Sequence, residues 1–142
     1  MKVLMISGDR SAIKKEKGPF YKTLMGLSKY WSKIDVLCCG TSAAVYNFNE
    51  KVVLYPTTQK KAFLPFFLVK NIISMHRENE YDLIVSHDYG LMINGFISSI
   101  LSKILKIPYI SEILHIEGHP RLSCAKDLIY RRAAYFYIRF FA

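Results

Sequence analysis

The chain has 142 residues, a formal net charge of +9, and 51% hydrophobic and 14% aromatic residues. That length fits one domain with a real core, and the apolar fraction excludes a disordered chain. No apolar run reaches the ~18 residues of a membrane span, and the start MKVLMIS lacks the parts of a secretory signal.

The basic surplus fits an anionic partner such as phosphate, a membrane surface or nucleic acid, or else simply a basic soluble surface. The basic residues do not cluster with aromatics in an RNA-binding motif, so nucleic acid ranks last. Cys38, Cys39 and Cys124 are odd in number, with no pair at metal-ligand spacing. They read as reduced core or near-core residues of a cytosolic protein.

Along the chain, Lys2–Ser7 reads as a first buried strand. Gly8 opens a polar loop that runs to Gly18. Pro19 suits the first turn of a helix, and Phe20, Leu24, Leu27 and Trp31 give that helix one apolar face. Ile34–Cys39 is a second strand closed by Gly40. Thr41–Lys51 reads as an irregular connection, and Val52–Tyr55 as a third strand stopped by Pro56. A helix from about Ala62 to Glu78 follows, with Phe66, Val69, Ile73 and His76 on one side.

Tyr81–Ser86 is a fourth strand, a short apolar run ending in His87-Asp88. The next helix opens near Gly90 and is stopped by Pro108. Its apolar positions are Ile93, Phe96, Ile97, Ile100, Leu101 and Ile104, and its other face carries Ser98, Ser99, Ser102 and Lys103. Tyr109–Leu114 is a fifth strand ending in His115. A last helix runs from about Ser123 to Phe141, with Ile129, Ala133, Phe136, Tyr137 and Phe140 on one side. Arg131, Arg132 and Arg139 fall on the other, the composition of a membrane-surface helix. The plainer reading packs the aromatic face on the sheet and leaves the arginines solvated; both hold together if the arginines attract anionic lipid heads.

Strand–helix alternation with doubly apolar strands predicts a doubly wound, mainly parallel sheet of order 3-2-1-4-5 with right-handed crossovers. The first and fourth strands then meet at the topological switch point, where ligands bind at the carboxyl edge. Gly8 and the Gly18 loop should lie beside His87 and Asp88, with His115 one strand further out. No G-x-G-x-x-G, P-loop or nucleophile elbow is present. The N-terminus of the first helix favours phosphate, although Pro19 removes one donor and Gly18 also reads as an ordinary loop glycine. Asp88 reads equally as an N-cap, and His115 as a histidine satisfied at a strand end. His115 and His119 are four apart, but Gly118 and Pro120 oppose the helix that would place them on one face, so no metal is expected.

Four stretches, MKVLMISGDR, KGPF before the first helix, YDLIVSHD and KIPYISEILHIEGHPRL, together resemble the amino-terminal half of a glycosyltransferase family 4 enzyme of the two-domain GT-B fold. The resemblance implies a Rossmann-like domain on the acceptor side of a retaining sugar transfer from a nucleotide-sugar donor to a glycan or lipid-linked acceptor, without a metal. It implies His115 near the transferred sugar, Gly18 beside the donor diphosphate, and His87 and Asp88 facing the acceptor; Glu117, in the following loop, could also reach the acceptor or be simply solvated. It further implies a missing second domain with a paired-glutamate motif, and so a chain inactive alone. The alternatives are half of a sugar-nucleotide epimerase, or a non-catalytic module that binds a membrane or partner. The expected location is cytoplasmic, at the membrane face if the arginines engage lipid.

Overall fold

The apolar run Lys2–Ser7 forms β1 and stands in the middle of a sheet whose two faces it helps to bury. Val3 and Met5 point into one core, and Leu4 and Ile6 into the other, following the alternation of a strand. The computed structural model describes residues 1–9, 11–14, 16–40, 42–59, 61–88, 91–113 and 125–141. His115, Glu117, His119 and Cys124 lie outside them.

The chain continues through α1 (Pro19–Leu27), β2 (Lys33–Cys39), β3 (Tyr46–Asn47), β4 (Val52–Thr57), α2 (Leu64–Asn79, entered by a 3-10 turn), β5 (Leu83–Asp88), α3 (Ile93–Leu105), β6 (Tyr109–Ile113) and α4 (Ala125–Phe140). The sheet order is β3-β4-β2-β1-β5-β6. Val3 pairs in parallel with Ile34 on one side and Leu83 on the other. The five strands expected from sequence therefore stand in the expected order, giving an α/β, Rossmann-like, mainly parallel sheet flanked by helices.

Two details of the sheet differ from expectation. The connection after β2 contains β3, which pairs antiparallel at the sheet's edge with only two residues. Pro56 lies inside β4 instead of stopping it. Thr57 directs its carbonyl toward β2, where it accepts from the Gly40 amide. Pro56 therefore faces the outer side, beyond the end of β3, where a missing N–H costs no ladder bond.

The helix faces differ more. α2 buries Leu68, Ile72 and Met75, while Phe66, expected inward, is 75% exposed. α3 turns in its small residues, Gly95, Ser98, Ser99 and Ser102, beside Leu101, and leaves Ile100 and Ile104 outside. The reason is close approach, because at Gly95 α3 comes against both Asp88 of β5 and Tyr137 of α4. Ser99 donates to the Phe141 carbonyl (2.8 Å) and Ser102 to the Ser99 carbonyl (2.8 Å), so two of the buried hydroxyls are satisfied. Of the expected stripe α4 buries Tyr137, together with Ala134, while Ile129, Phe136 and Phe140 stay outside.

The two sheet faces are unequally covered. α1 packs on one of them, with Phe20 and Leu24 against Val3, Val36 and Val52. α2 and α3 pack on the other, against Leu4, Ile6, Leu37 and Ile84. α4 joins that second face through Tyr137 and Ile113, and Ile113 stands opposite Asp88 on the same side as Ser86 and Ile84. Cys38 is a free buried thiol, its pKa pushed up to about 12 chiefly by burial, and Cys39 is a half-buried free thiol.

Candidate active site

The carboxyl ends of β1 and β5 meet at the switch point, with Ile6 opposite Ser86. The loop leaving β1 is held by its own polar side chains. The Asp9 amide donates to Ser7 Oγ (3.1 Å), and the Ser11 amide to Asp9 Oδ1 (2.7 Å). The loop delivers Gly18 as the N-cap of α1 in extended conformation, with no side chain capping the helix. A Cβ on Gly18 would meet only ordinary contacts with Ser11 at 3.7 and 3.8 Å. Neither backbone angle nor protein packing demands glycine there.

Phe20, in the first turn of α1, is buried and stands edge-on to the His87 ring, with centroids 5.0 Å apart. This brings the start of α1 and the end of β5 together. His87 is 3% exposed. Its Nε2 lies 2.9 Å from Glu112 Oε2 without hydrogen-bond alignment, and neither ring nitrogen has a hydrogen-bond partner among the described residues. Glu112 is the residue directly across the β5–β6 ladder from His87, and its side chain remains half exposed. Burial lowers the His87 pKa, opposed by the carboxylates of Glu112, Asp88 and Asp9. The imidazole is thus held toward its neutral form beside a solvent-facing carboxylate.

Asp88 points to the opposite face and is 0% exposed. Its carboxylate accepts from Ser86 Oγ, from Ser111 Oγ (2.8 Å) and from the Gly95 amide (2.5 Å) in the first turn of α3. It is a cap for α3 delivered from the neighbouring strand. Ser86 Oγ continues to the Tyr109 hydroxyl (2.6 Å), and that hydroxyl to Tyr137 on α4 (2.5 Å). A Cβ on Gly95 would stand 2.6 Å from Tyr137 ring and hydroxyl atoms and 2.7 Å from Asp88 Oδ2, so this position requires glycine. Burial raises the Asp88 pKa and also those of Tyr109 and Tyr137.

Gly18, through its neighbour Phe20, and His87 therefore share one corner of the carboxyl edge. Asp88 is adjacent in sequence, but its carboxylate is enclosed within the protein and accounted for by protein donors. His115 and Glu117 lie outside the described residues. Glu112 is a candidate that sequence reading missed; the signal was its register opposite His87, which appears only once strand pairing is known. Arg131, Arg132 and Arg139 are exposed on α4, remote in sequence from this corner. Among the described residues no group of three or more His, Cys, Asp or Glu is arranged to hold a metal.

A solved structure of similar architecture is that of a sucrose-phosphate synthase from Thermosynechococcus elongatus, with a TM-score of 0.52 at 13% identity, covering 100% of this chain and 100% of that one. No protein-family model and no curated protein matches the chain. At that identity the likeness bears on architecture: the chain has a GT-B-like, Rossmann-like fold.

Proposed function

We propose that the chain is the acceptor-side, N-terminal domain of a retaining glycosyltransferase acting on a nucleotide-sugar donor and a glycan or lipid-linked acceptor, peripheral to the cytoplasmic face of a membrane. The observation that carries this is the corner where the uncapped start of α1 meets buried His87 and its solvent-facing neighbour Glu112. The free N–H groups of α1 favour a donor phosphate, and the absence of a Cβ at Gly18 lets a diphosphate approach the backbone closely. The Glu112 carboxylate, beside His87, accepts a hydrogen bond from a sugar hydroxyl. His115, three residues after Glu112 in the sequence, is the residue we assign to the transferred sugar. Preorganised donors of this kind stabilise a leaving diphosphate without a cation, so no metal is invoked. A second domain supplies the rest of the donor site.

The test is an amide-resolved NMR titration of the chain with UDP-, GDP- and ADP-sugars and with pyrophosphate. At least one nucleotide sugar should shift the Gly18, Phe20 and Tyr21 amides and the His87 ring signals. Shifts confined to other surfaces, or none at millimolar ligand, would overturn the reading. Turnover of a nucleotide sugar by the 142-residue chain alone would overturn the need for a second domain.

A further inference from the structure

Three helices cover one sheet face, and their outward sides share a composition. Phe66 on α2 is 75% exposed, Ile104 on α3 65% and Tyr135 on α4 66%, with Ile100, Phe136 and Phe140 also outside. Monomeric soluble proteins seldom expose this much apolar surface on one side without a use for it. The exposed cations of the same helices are Lys70 and Arg77 on α2, Lys103 on α3, and Arg131, Arg132 and Arg139 on α4. Against them the three helices carry two acidic residues, Glu78 on α2 and Asp127 near the start of α4. The cations stand over the aromatics: Lys103 Nζ is 5.9 Å from the Phe141 ring centre, and the Arg139 guanidinium 5.6 Å from that of Phe140.

We propose that the outer side of the α2–α3–α4 layer is a docking surface for an anionic phospholipid bilayer, with exposed aromatic and aliphatic side chains entering the interface and the six cations meeting lipid phosphates. Charge complementarity selects this occupant. An apolar patch alone would suit a second copy of the chain, but two copies of a surface this cationic repel one another. Apolar side chains mixed with arginine and lysine on one side are the pattern of an interfacial surface. The arginines therefore act beside exposed aromatics, not opposite a buried aromatic stripe. The inference rests on the membrane half of the reading above. Vesicle binding needs no sugar nucleotide, so the two are tested separately.

The experiment is flotation of the purified chain with neutral phosphatidylcholine vesicles and with vesicles containing phosphatidylglycerol. Binding to the anionic vesicles alone is expected, falling as salt rises because exposed charges are screened within ~10 Å at 0.1 M. Replacing Arg131, Arg132 and Arg139 with glutamine should lower partition roughly 100-fold, at about a fivefold loss per basic residue. Phe136→Ser with Phe140→Ser should also weaken it, with circular dichroism confirming the fold. The matched control, Lys22→Gln, Lys29→Gln and Lys51→Gln on the side of α1, should bind as wild type. Equal loss in that control, equal binding to both vesicles, binding to neither, or a dimer in solution that ignores vesicles would each overturn the proposal.

Discussion

Asp35 and Asp88 are both sealed from water at 0% exposure, yet they are stabilised in different ways. Asp35, on β2, meets a cation: Lys33 Nζ lies 3.0 Å from Oδ2, and the Tyr81 hydroxyl donates to the same oxygen. Lys33 also donates to Asn79 Oδ1 at 2.6 Å, near the amino edge of the sheet. Asp88, at the carboxyl edge, receives two hydroxyls and a helix amide instead. Burial raises its pKa, and those donors together with the nearby His87 oppose the rise without cancelling it. The amino edge uses charge compensation, whereas the carboxyl edge uses oriented dipoles that fix the positions of β5, β6, α3 and α4. The first depends on what Asp35 carries, the second on where Asp88 and its partners sit.

Gly95→Ala should break the carboxyl-edge arrangement most severely. The added methyl meets Tyr137 and Asp88 at 2.6–2.7 Å, and the strain of overpacking outweighs alanine's gain in helix propensity. The expected loss is about 3 kcal/mol by urea denaturation. Asp35→Asn should cost about 2 kcal/mol, less than a fully buried pair, because Lys33 is partly exposed and regains water. Asp88→Asn keeps an acceptor for the Gly95 amide and removes a charge that burial disfavours, so about 1 kcal/mol is expected. A larger loss for Asp88→Asn than for Asp35→Asn would invert the comparison.

The smallest effect is in pH dependence. The folded-state pKa of His87 is lowered, so the fold holds it neutral. Its contribution is complete above the unfolded value near 6.5 and is lost as pH falls from there toward the folded pKa. Asp88 acts oppositely: its folded pKa is raised, so acidification toward 3.8 and below relieves the cost of its charge. The urea midpoint should therefore fall between pH 7.5 and 5.5, and by less in His87→Phe. An unchanged pH slope in that variant would remove His87 from this account.

The strand order was legible because five apolar runs, apolar on both faces, admit few topologies. β3 was not, since two residues in a polar connection leave no pattern. The helix faces misled for a physical reason. Reading the apolar residues of α3 as its inner face places Ile100 and Ile104 against the sheet. Close packing against Tyr137 and α4 selects Gly95 and the serines there instead, and the isoleucines face outward. In α2 two apolar stripes interleave, and the one with Leu68, Ile72 and Met75 reaches the core. Of the site, His87 and the start of α1 were legible from their places at strand and helix ends. Glu112 and the Ser86–Tyr109–Tyr137 chain were not, because they arise from register and tertiary contact.

The central place of β1 has a consequence in time. Its partner on one side, β2, begins at Lys33, but its partner on the other, β5, begins at Leu83. During synthesis at about 5–20 residues per second, the first strand spends several seconds beside one neighbour only. For that interval Leu4 and Ile6 lack the α2–α3 layer that covers them. Contacts so distant in sequence slow folding, so the newborn chain is most exposed to aggregation before β5 emerges from the ribosome.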